Sequence, residues 1–175
     1  ILAAGQGTRM KSAYPKVLHN LLGHPMLKYV IDSAKQAGAE SILIVVGFEG
    51  EKVIQSLGPE YQYIWQHEQL GTGHAVLMAE PALSRLDGDL LVLYGDTPLL
   101  EPETIKELVL TKRNQKAIAA ILTTELNNPT GYGRIIRNSE GNIIGIIEDK
   151  DTSSKEKEIK EVNTGVYCFE IQALL

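Results

Sequence analysis

The chain has 175 residues, of which 43% are hydrophobic and 22% are charged, and its formal net charge is -5. This length predicts one domain with a substantial core, and the acidic balance argues against a broad nucleic-acid surface, which needs clustered Lys and Arg. The single cysteine, Cys168, excludes an intrachain disulfide, and no apolar run reaches the roughly 18 residues of a membrane span.

The first predicted element is a strand at the amino terminus, where the apolar run Ile1–Ala4 precedes a glycine-rich loop. The chain opens without an initiator Met and ends without a helix stop signal, so we expect a fragment cut at both ends. It shows no basic-then-apolar leader, and its single cysteine fits a reducing, cytoplasmic compartment.

Short apolar runs then alternate with segments of helical period. Apolar side chains recur at helical spacing in residues 25–38, with Pro25 near the start and Gly38 at the stop. Residues 41–46 form a continuous apolar run rich in β-branched side chains, which is typical of a strand buried on both faces. The alternation predicts an α/β fold in which helices flank a mostly parallel sheet with right-handed crossovers. Further predicted helices cover 51–57, 73–79 and 102–112, and further predicted strands cover 61–65, 89–94 and 117–124.

The pattern changes after residue 126. The turn-forming segment 128–133 precedes two short apolar segments, 134–137 and 143–147, which predict a β-hairpin. Residues 151–161 are highly charged and predict a mobile or helical stretch on a solvated face, and residues 162–169 return to a strand. With no internal repeat and no low-complexity linker, we interpret the hairpin as a small insertion and not as a second domain.

The glycine loop Gly5–Gly7 follows the first strand, where glycines let backbone N–H groups approach a phosphate. A dinucleotide-binding fingerprint requires Gly or Ala where Met10 stands, and an acid after the second strand, where residues 47–48 are Gly-Phe. A Walker A loop also requires Gly at the position of Met10. Neither of these motifs fits.

Two cations, Arg9 and Lys16, flank this loop. The alternative to a ligand site is a tight turn with no ligand, and surface charge explains either cation alone. The pair beside a glycine turn, in an acidic protein, favours a bound polyphosphate. Pro15 restricts the backbone before Lys16 and would help to aim its ammonium group.

Several motifs together resemble a known family. They are residues 2–10 (LAAGQGTRM) with 15–16 (PK), 66–75 (QHEQLGTGHA), 94–96 (YGD), 129–135 (PTGYGRI), Glu148 and 162–165 (VNTG). The set closely resembles the uridyltransferase domain of the bacterial N-acetylglucosamine-1-phosphate uridyltransferases, within the nucleotide-diphospho-sugar transferase superfamily. The first motif is common to the superfamily, and the later motifs are more specific. The resemblance covers nearly the whole chain.

The resemblance implies a Rossmann-like nucleotide-diphospho-sugar transferase fold and an incomplete nucleotidyltransferase domain over residues 1–175. Its nucleotide-binding part would cover 1–126, and its truncated sugar-binding part 127–175. The implied UTP-binding residues are Leu2, Ala3, Ala4, Gly5, Gly7, Thr8, Lys16, Gln66, Gly71 and Thr72. The implied sugar-binding residues are Tyr94, Gly133, Glu148 and Asn163. The implied catalytic residues are Arg9, Lys16 and Asp96, and Asp96 would hold Mg²⁺.

The residue types suit these roles, although each has a structural alternative. The Gln66 amide offers a donor and an acceptor, as a uracil edge demands, but an exposed polar residue at a strand end is the alternative. Asp96 follows a buried strand, where open α/β sheets bind ligands and where a carboxylate suits Mg²⁺, but it could instead cap the helix near Pro102. Glu148 alone could be a salt-bridged surface carboxylate. Cys168 alternates with apolar neighbours and is expected in the core.

The implied reaction is attack by a phosphate oxygen of N-acetylglucosamine 1-phosphate on the α-phosphorus of UTP, with release of pyrophosphate, as a step toward peptidoglycan and cell-wall synthesis. His19, His24 and His67 lack metal-ligand spacing and receive no catalytic role. The alternatives are another nucleotidyltransferase of this fold, using glucose 1-phosphate, a cytidylyl acceptor or a molybdopterin, and a non-catalytic nucleotide-sensing module. Full-length members of the family often add an acetyltransferase domain that trimerises the protein. The resemblance also implies a second metal ligand, an asparagine, which is expected beyond Leu175.

Overall fold

The computed structural model describes residues 1–7, 10, 12 and 14–175, in which helices cover a central mixed β-sheet. The strands are β1 (Leu2–Ala3), β2 (Asn20–Leu21), β3 (His24–Pro25), β4 (Leu43–Val46), β5 (Gln62–Trp65), β6 (Asp89–Val92), β7 (Ala119–Glu125), β8 (Arg134–Arg137), β9 (Ile143–Ile147) and β10 (Glu161–Glu170). The helices are α1 (Met26–Gln36), α2 (Gly50–Leu57), α3 (Thr72–Met78), α4 (Glu80–Leu83), α5 (Pro102–Asn114) and α6 (Ile171–Leu174).

The order of the sheet follows from its backbone pairings. β4 pairs in parallel with β1 on one side and with β5 on the other. β1 also lies parallel to the chain that follows β6, because the Leu2 N–H donates to the Leu93 carbonyl (2.8 Å) and the Gly95 N–H donates to the Leu2 carbonyl (2.9 Å). β10 runs antiparallel between β6 and β7. The order is therefore β5-β4-β1-β6-β10-β7, and β10 opposes the direction of its neighbours.

The hairpin of β8 and β9 has the predicted bounds and joins the sheet through β10, where Val162 lies opposite Arg134. β10 pairs with β7 along both of its halves, with a register shift between Asn163 and Tyr167. On its other side, its first half contacts β8 at Val162 and its second half pairs with β6. The charged stretch after β9 forms two short 3-10 turns, Asp149–Asp151 and Glu156–Glu158.

The predicted α/β fold with a mostly parallel sheet and a hairpin insertion is confirmed, and the differences lie mainly at element ends. The strand predicted from residue 117 begins at Ala119, because Lys116 has a positive φ of 50° and ends α5 in a left-handed turn. The two-residue strands β2 and β3 were not predicted, nor were α4 and α6. Within the ranges given above, no helix combines the length and apolar character that a membrane crossing requires.

The core forms where the predicted apolar face of α1 meets the sheet. Leu27, Val30, Ile31 and Ala34 are all buried, at the i, i+3, i+4, i+7 spacing that places them on one side of the helix. Cys168 is fully buried in the same core, as predicted, and burial raises the pKa of its thiol to about 11. A thiol with a raised pKa stays neutral, so this cysteine is a packing residue.

Asp89, at the start of β6, holds two cations of α5. It accepts hydrogen bonds from the Lys112 ammonium (2.7 Å) and from Arg113 Nε (2.6 Å), and Lys112 is only 6% exposed. Burial alone would raise the pKa of Asp89, but the hydrogen bonds and charges of Lys112 and Arg113 hold it below its ordinary value. A carboxyl group with a lowered pKa stabilises the fold above its unfolded-state pKa, and this contribution is lost as the pH falls through its folded-state pKa.

We expect Asp89→Ala to lower the free energy of unfolding by about 3 kcal/mol at neutral pH, because it leaves the buried Lys112 ammonium unpaired. Urea denaturation measures this difference, and the same substitution at the exposed Asp87 is the control. The difference between Asp89→Ala and the unaltered protein should begin to shrink as the pH falls below the ordinary pKa of an Asp carboxyl, and it should be lost as the pH falls through the lowered folded-state pKa of Asp89. If Asp89→Ala were as stable at pH 7 as the Asp87→Ala control, the buried pair of Asp89 and Lys112 would contribute nothing to stability.

Candidate functional site

A cavity of about 390 Å³ opens where β1, β5 and β6 reach their carboxyl ends. Parallel strands of open α/β sheets bind ligands at this edge. A second cavity of about 410 Å³ lies toward the amino ends of the strands, and none of the predicted site residues lines it. We therefore place the candidate site in the first cavity, whose lining is Leu2, Ala3, Ala4, Gly5, Gly7, Met10, Lys16, Val17, Gln66, Gln69, Gly71, Thr72, Ala75, Tyr94 and Asp96.

This lining contains every predicted nucleotide residue that the structure describes, together with Tyr94 and Asp96. Thr8 and Arg9 were also predicted, and both lie outside the described residues. The lining residues come from three separate stretches of the chain, which comprise β1 with the residues after it, the residues after β5 and the residues after β6, so the parallel order of the sheet brings them together.

The glycine loop lies directly against Lys16. Gly7 has a φ of 61°, and a Cβ added there would lie 2.8 Å from Lys16 Cβ. A side chain at Gly7 would therefore be strained and would push Lys16 aside. After Pro15, residues Lys16–Leu18 form one 3-10 turn whose Val17 and Leu18 are buried, which anchors the backbone that carries the Lys16 ammonium.

Lys16 and Asp96 form an ion pair across the cavity, with 2.5 Å between Lys16 Nζ and Asp96 Oδ2 and about a third of each side chain exposed. The alternative role for Asp96, capping of α5, is wrong, because Glu101 occupies the N-cap position. One oxygen of Asp96 already lies against a cation, and a partly exposed carboxylate suits Mg²⁺. In the part of the chain that the structure describes, no group of three or more His, Cys, Asp or Glu side chains could hold a metal ion. Mg²⁺ is commonly bound by one or two carboxylates together with substrate oxygens and water, and a single carboxylate such as Asp96 is compatible with that kind of site.

Gln66, directly after β5, is 4% exposed, so the alternative of an exposed polar residue is wrong. Its Nε2 donates to the Gly71 carbonyl (3.0 Å) and lies 3.1 Å from His74 Nδ1. Its backbone N–H donates to the Val46 carbonyl (2.8 Å), which continues the pairing of β4 and β5. Both ends of the residue are thus fixed at the cavity wall.

Gly133, Glu148 and Asn163 form a second cluster. The Asn163 N–H donates to the Gly133 carbonyl (2.8 Å), and a Cβ at Gly133 would lie 3.5 Å from Glu148 Oε1 and 3.7 Å from Asn163 Cβ. Among the described residues Glu148 has no ion-pair partner, whereas its neighbour Asp149 pairs with Arg134. The alternative reading of Glu148 as a salt-bridged surface carboxylate is therefore not supported.

Tyr94 connects the two groups of residues. Its hydroxyl lies 3.1 Å from Thr72 Oγ1 in the cavity, and its ring lies against Gly165, where a Cβ would come within 1.8 Å of Tyr94 Cε2. Gly165 in turn donates its N–H to Asn163 Oδ1 (2.8 Å). One aromatic side chain thus spans the distance between the cavity and the second cluster.

Tyr167 belongs to this second cluster and was not predicted. Its hydroxyl accepts a hydrogen bond from Asn163 Nδ2 (2.7 Å). Burial raises the pKa of Tyr167, the nearby Tyr94 and Glu148 raise it further, and the bond from Asn163 opposes them. No local sequence pattern singles it out, because the register of β10 shifts between Asn163 and Tyr167.

Arg134 ties together the two segments that carry Gly133 and Glu148. Its side chain is 2% exposed, and it donates to the Tyr132 carbonyl and to Asp149 Oδ1 (2.8 Å). The Gly131 N–H and the Arg134 guanidinium hold the pKa of Asp149 below its ordinary value, against the opposing effect of burial. We call this pair, Arg134 and Asp149, the loop clamp.

Residues 1–142 match the family model described as a MobA-like NTP transferase domain. Over 174 residues, 99% of the chain, it is 51% identical to the bifunctional protein GlmU of Halalkalibacterium halodurans and 50% identical to that of Pelotomaculum thermopropionicum. The chain spans 38% of the length of each of these relatives.

Two solved structures share the fold. A putative glucose-1-phosphate thymidylyltransferase from Bacillus anthracis superposes with a TM-score of 0.80 at 23% identity, over 99% of this chain and 71% of that one. A UDP-glucose pyrophosphorylase complexed with UDP-glucose superposes with a TM-score of 0.76 at 19% identity, over 99% of this chain and 75% of that one. At such identities the likeness concerns the fold alone.

Proposed function

The chain belongs to the family of MobA-like NTP transferase domains, and we propose that it transfers a uridylyl group from UTP to N-acetylglucosamine 1-phosphate, forming UDP-N-acetylglucosamine and pyrophosphate. The observation that carries the proposal is the position of Tyr94, which contacts Thr72 in the cavity and Gly165 beside the second cluster. The Lys16–Asp96 pair lines the same cavity. A reaction between two phosphate substrates needs two adjacent binding sites with positive charge and a metal-binding carboxylate at their junction.

The nucleotide half of this proposal rests on the cavity. The backbone of residues 2–5, which forms β1 and the turn after it, lines the cavity and would hydrogen-bond the uracil and ribose. Gln66, Gly71 and Thr72 would complete the recognition of the base. The Lys16 ammonium would offset the charge of the triphosphate. Arg9 is proposed to do the same from the glycine loop, on the sequence pattern alone.

The sugar half rests on the second cluster. Glu148 would accept hydrogen bonds from sugar hydroxyls, and Asn163 with the Gly133 backbone would hold the acetamido group and the neighbouring hydroxyls. The Asn163 amide is already oriented by Tyr167 and Gly165, which limits the directions open to a ligand. A preorganised amide loses little side-chain entropy when the ligand binds.

In this transfer the protein has to position the substrates and stabilise their charge, because the sugar phosphate oxygen is itself the nucleophile. Asp96 would hold Mg²⁺, which neutralises phosphate charge when bound. Lys16, 2.5 Å from Asp96, would keep the α-phosphate beside that position, and Tyr94 would align the sugar phosphate against it. No side-chain nucleophile is required.

Two other functions use the same fold. A nucleotidyltransferase for another acceptor, such as glucose 1-phosphate or a molybdopterin, would share the nucleotide half, and a nucleotide sensor would share it without turnover. The cluster of Gly133, Glu148 and Asn163 favours an N-acetylated sugar, because an acetamido group needs both a donor and an acceptor. The proposed cytoplasmic location and the proposed trimer through a further domain remain predictions from the resemblance.

A substrate panel tests the proposed function. Pyrophosphate release is measured with UTP, CTP, GTP or dTTP, each combined with N-acetylglucosamine 1-phosphate, glucosamine 1-phosphate or glucose 1-phosphate in the presence of Mg²⁺. We expect the pair of UTP and N-acetylglucosamine 1-phosphate to have the highest kcat/KM. A higher kcat/KM for another pair would move the protein to another nucleotidyltransferase activity, and saturable UTP binding without release would favour the sensor.

The loop clamp gives a prediction about the sugar half alone. We expect Arg134→Met to raise the KM for the sugar phosphate about tenfold, because Gly133 and Glu148 lose the connection that holds them, and a tenfold change corresponds to about 1.4 kcal/mol. The KM for UTP should change less than about twofold. Steady-state kinetics with each substrate varied in turn separates the two constants.

The matched control is Arg137→Met on the same strand. Arg137 also pairs with an acid, Glu161, through bonds of 2.8 and 2.7 Å, but it is more exposed and lies away from Gly133 and Glu148. Its substitution should leave both KM values near those of the unaltered protein. An equal rise of both KM values in Arg134→Met, or the same rise in Arg137→Met, would contradict the role given to the clamp.

A further inference from the structure

The Gln66 amide has one group left for a ligand. One amide hydrogen is directed to the Gly71 carbonyl at 3.0 Å, and Nε2 lies 3.1 Å from His74 Nδ1. If the amide were turned over, its oxygen would face the Gly71 carbonyl, and two acceptors would repel each other. Both N–H groups are therefore committed inside the protein, and Oε1 is the group of this cavity-lining side chain that remains for a base.

His74 can accept the second hydrogen only with a lone pair on Nδ1. Histidine offers this in the neutral tautomer that carries its proton on Nε2. His74 lies in the first turns of α3, one residue before the buried Ala75, so the helix fixes where its ring can reach. A residue at this position whose only polar groups are donors, or one with no polar atom, would leave the Gln66 amide held by Gly71 alone.

We infer that His74 is a specificity-determining positioning residue, which fixes the Gln66 amide so that the cavity presents a hydrogen-bond acceptor to the base. Uracil carries an N3–H donor, whereas cytosine has an unprotonated N3 that would face the Gln66 oxygen with a second lone pair. A site that hydrogen-bonds one ligand rejects the analogue that leaves its buried polar group unpaired. His74 would therefore favour UTP over CTP without touching the nucleotide. This inference rests on the proposed function, in which the cavity binds the base of UTP.

The test compares His74→Leu with His74→Asn. The two replacements have nearly the same branched shape, but only Asn can place an acceptor oxygen near the position of His74 Nδ1. Calorimetry with UTP or CTP and Mg²⁺ gives the ratio of the two dissociation constants, and steady-state kinetics gives the ratio of kcat/KM. Thermal unfolding shows that each variant is folded, and His74→Ala, a good helix former without an acceptor, provides a second route to the same loss.

We expect the preference for UTP over CTP to fall about tenfold in His74→Leu and His74→Ala, which is the effect of losing one buried hydrogen bond. His74→Asn should keep the preference within about twofold of the unaltered protein. An unchanged preference in the Leu and Ala variants, an equal loss of affinity for both nucleotides, or an Asn variant as impaired as Leu would overturn the inference. The proposed function fails separately, if the unaltered protein itself shows no preference for UTP.

Discussion

Asp96→Asn is expected to lower the rate of the proposed uridylyl transfer by about a thousandfold, which is the loss that follows removal of one main electrostatic contact of a transition state. The change keeps the shape of the side chain but removes its charge. The variant therefore loses the ion pair with Lys16, at 2.5 Å in the unaltered protein, and the proposed capacity of this residue to hold Mg²⁺ with the substrate phosphates. Pyrophosphate release at saturating substrates measures the rate.

The matched control for Asp96→Asn is Asp32→Asn on α1. Asp32 also pairs with a lysine, Lys28, at 2.5 Å, and it does not line the cavity. Exposed pairs of this kind stabilise proteins by less than about 1 kcal/mol, so the control should keep a normal rate. A normal rate in Asp96→Asn would contradict the proposal that this residue holds a metal ion, and would leave the Lys16–Asp96 pair with a structural role only.

Gly165→Ala is expected to impair both stability and activity, because this position is restricted in two ways. Its φ is 79°, which residues with a Cβ rarely adopt, and the added Cβ would lie 1.8 Å from Tyr94 Cε2. Together the left-handed backbone and the overpacking should lower the free energy of unfolding by about 3 kcal/mol. Transfer should fall as well, because Tyr94 must move away from Thr72 and from the second cluster.

Substitutions at two other glycines separate the effect of the left-handed backbone from the effect of overpacking against Tyr94. Gly141 has a φ of 86° with open space around it, so Gly141→Ala should show the backbone cost alone, about 1 kcal/mol. Gly145 has open space and no positive φ, so Gly145→Ala should change neither property. Adding Tyr94→Leu to Gly165→Ala should restore part of the stability but not the activity. If Gly165→Ala were as stable and as active as Gly141→Ala, the contact between Gly165 and Tyr94 would contribute to neither stability nor activity.

The family and the fold could be predicted because their signals are local. Hydrophobic periodicity gave most helices and strands, and the motifs gave a resemblance that the 47–51% identities to the GlmU proteins confirm. The hairpin was found with its bounds because two short apolar segments flank a polar turn. The two-residue strands β2 and β3 and the four-residue helices α4 and α6 were missed, because no apolar run marks these strands and the helices are too short to show a helical period.

The sequence predicted the location of site residues that follow a strand, but it did not predict contacts between residues that are distant along the chain. Gln66 and Asp96 follow β5 and β6, so their places in the cavity follow from the rule for parallel sheets. The roles of Tyr167 and Arg134 depend on how β10 and the hairpin pair, which no local pattern reveals. His74 was quoted only as part of a motif, because its contact with Gln66 requires the turn between β5 and α3.

The most direct test of the proposed uridylyl transfer follows the α-phosphate itself. The protein is incubated with Mg²⁺, N-acetylglucosamine 1-phosphate and UTP labelled at the α-phosphate, and the products are separated. We expect the label to appear in UDP-N-acetylglucosamine, with unlabelled pyrophosphate in equal amount, and only when the sugar phosphate is present. Label that stays in UTP, or that appears in UMP without a labelled sugar nucleotide, would contradict the assignment of this site to uridylyl transfer.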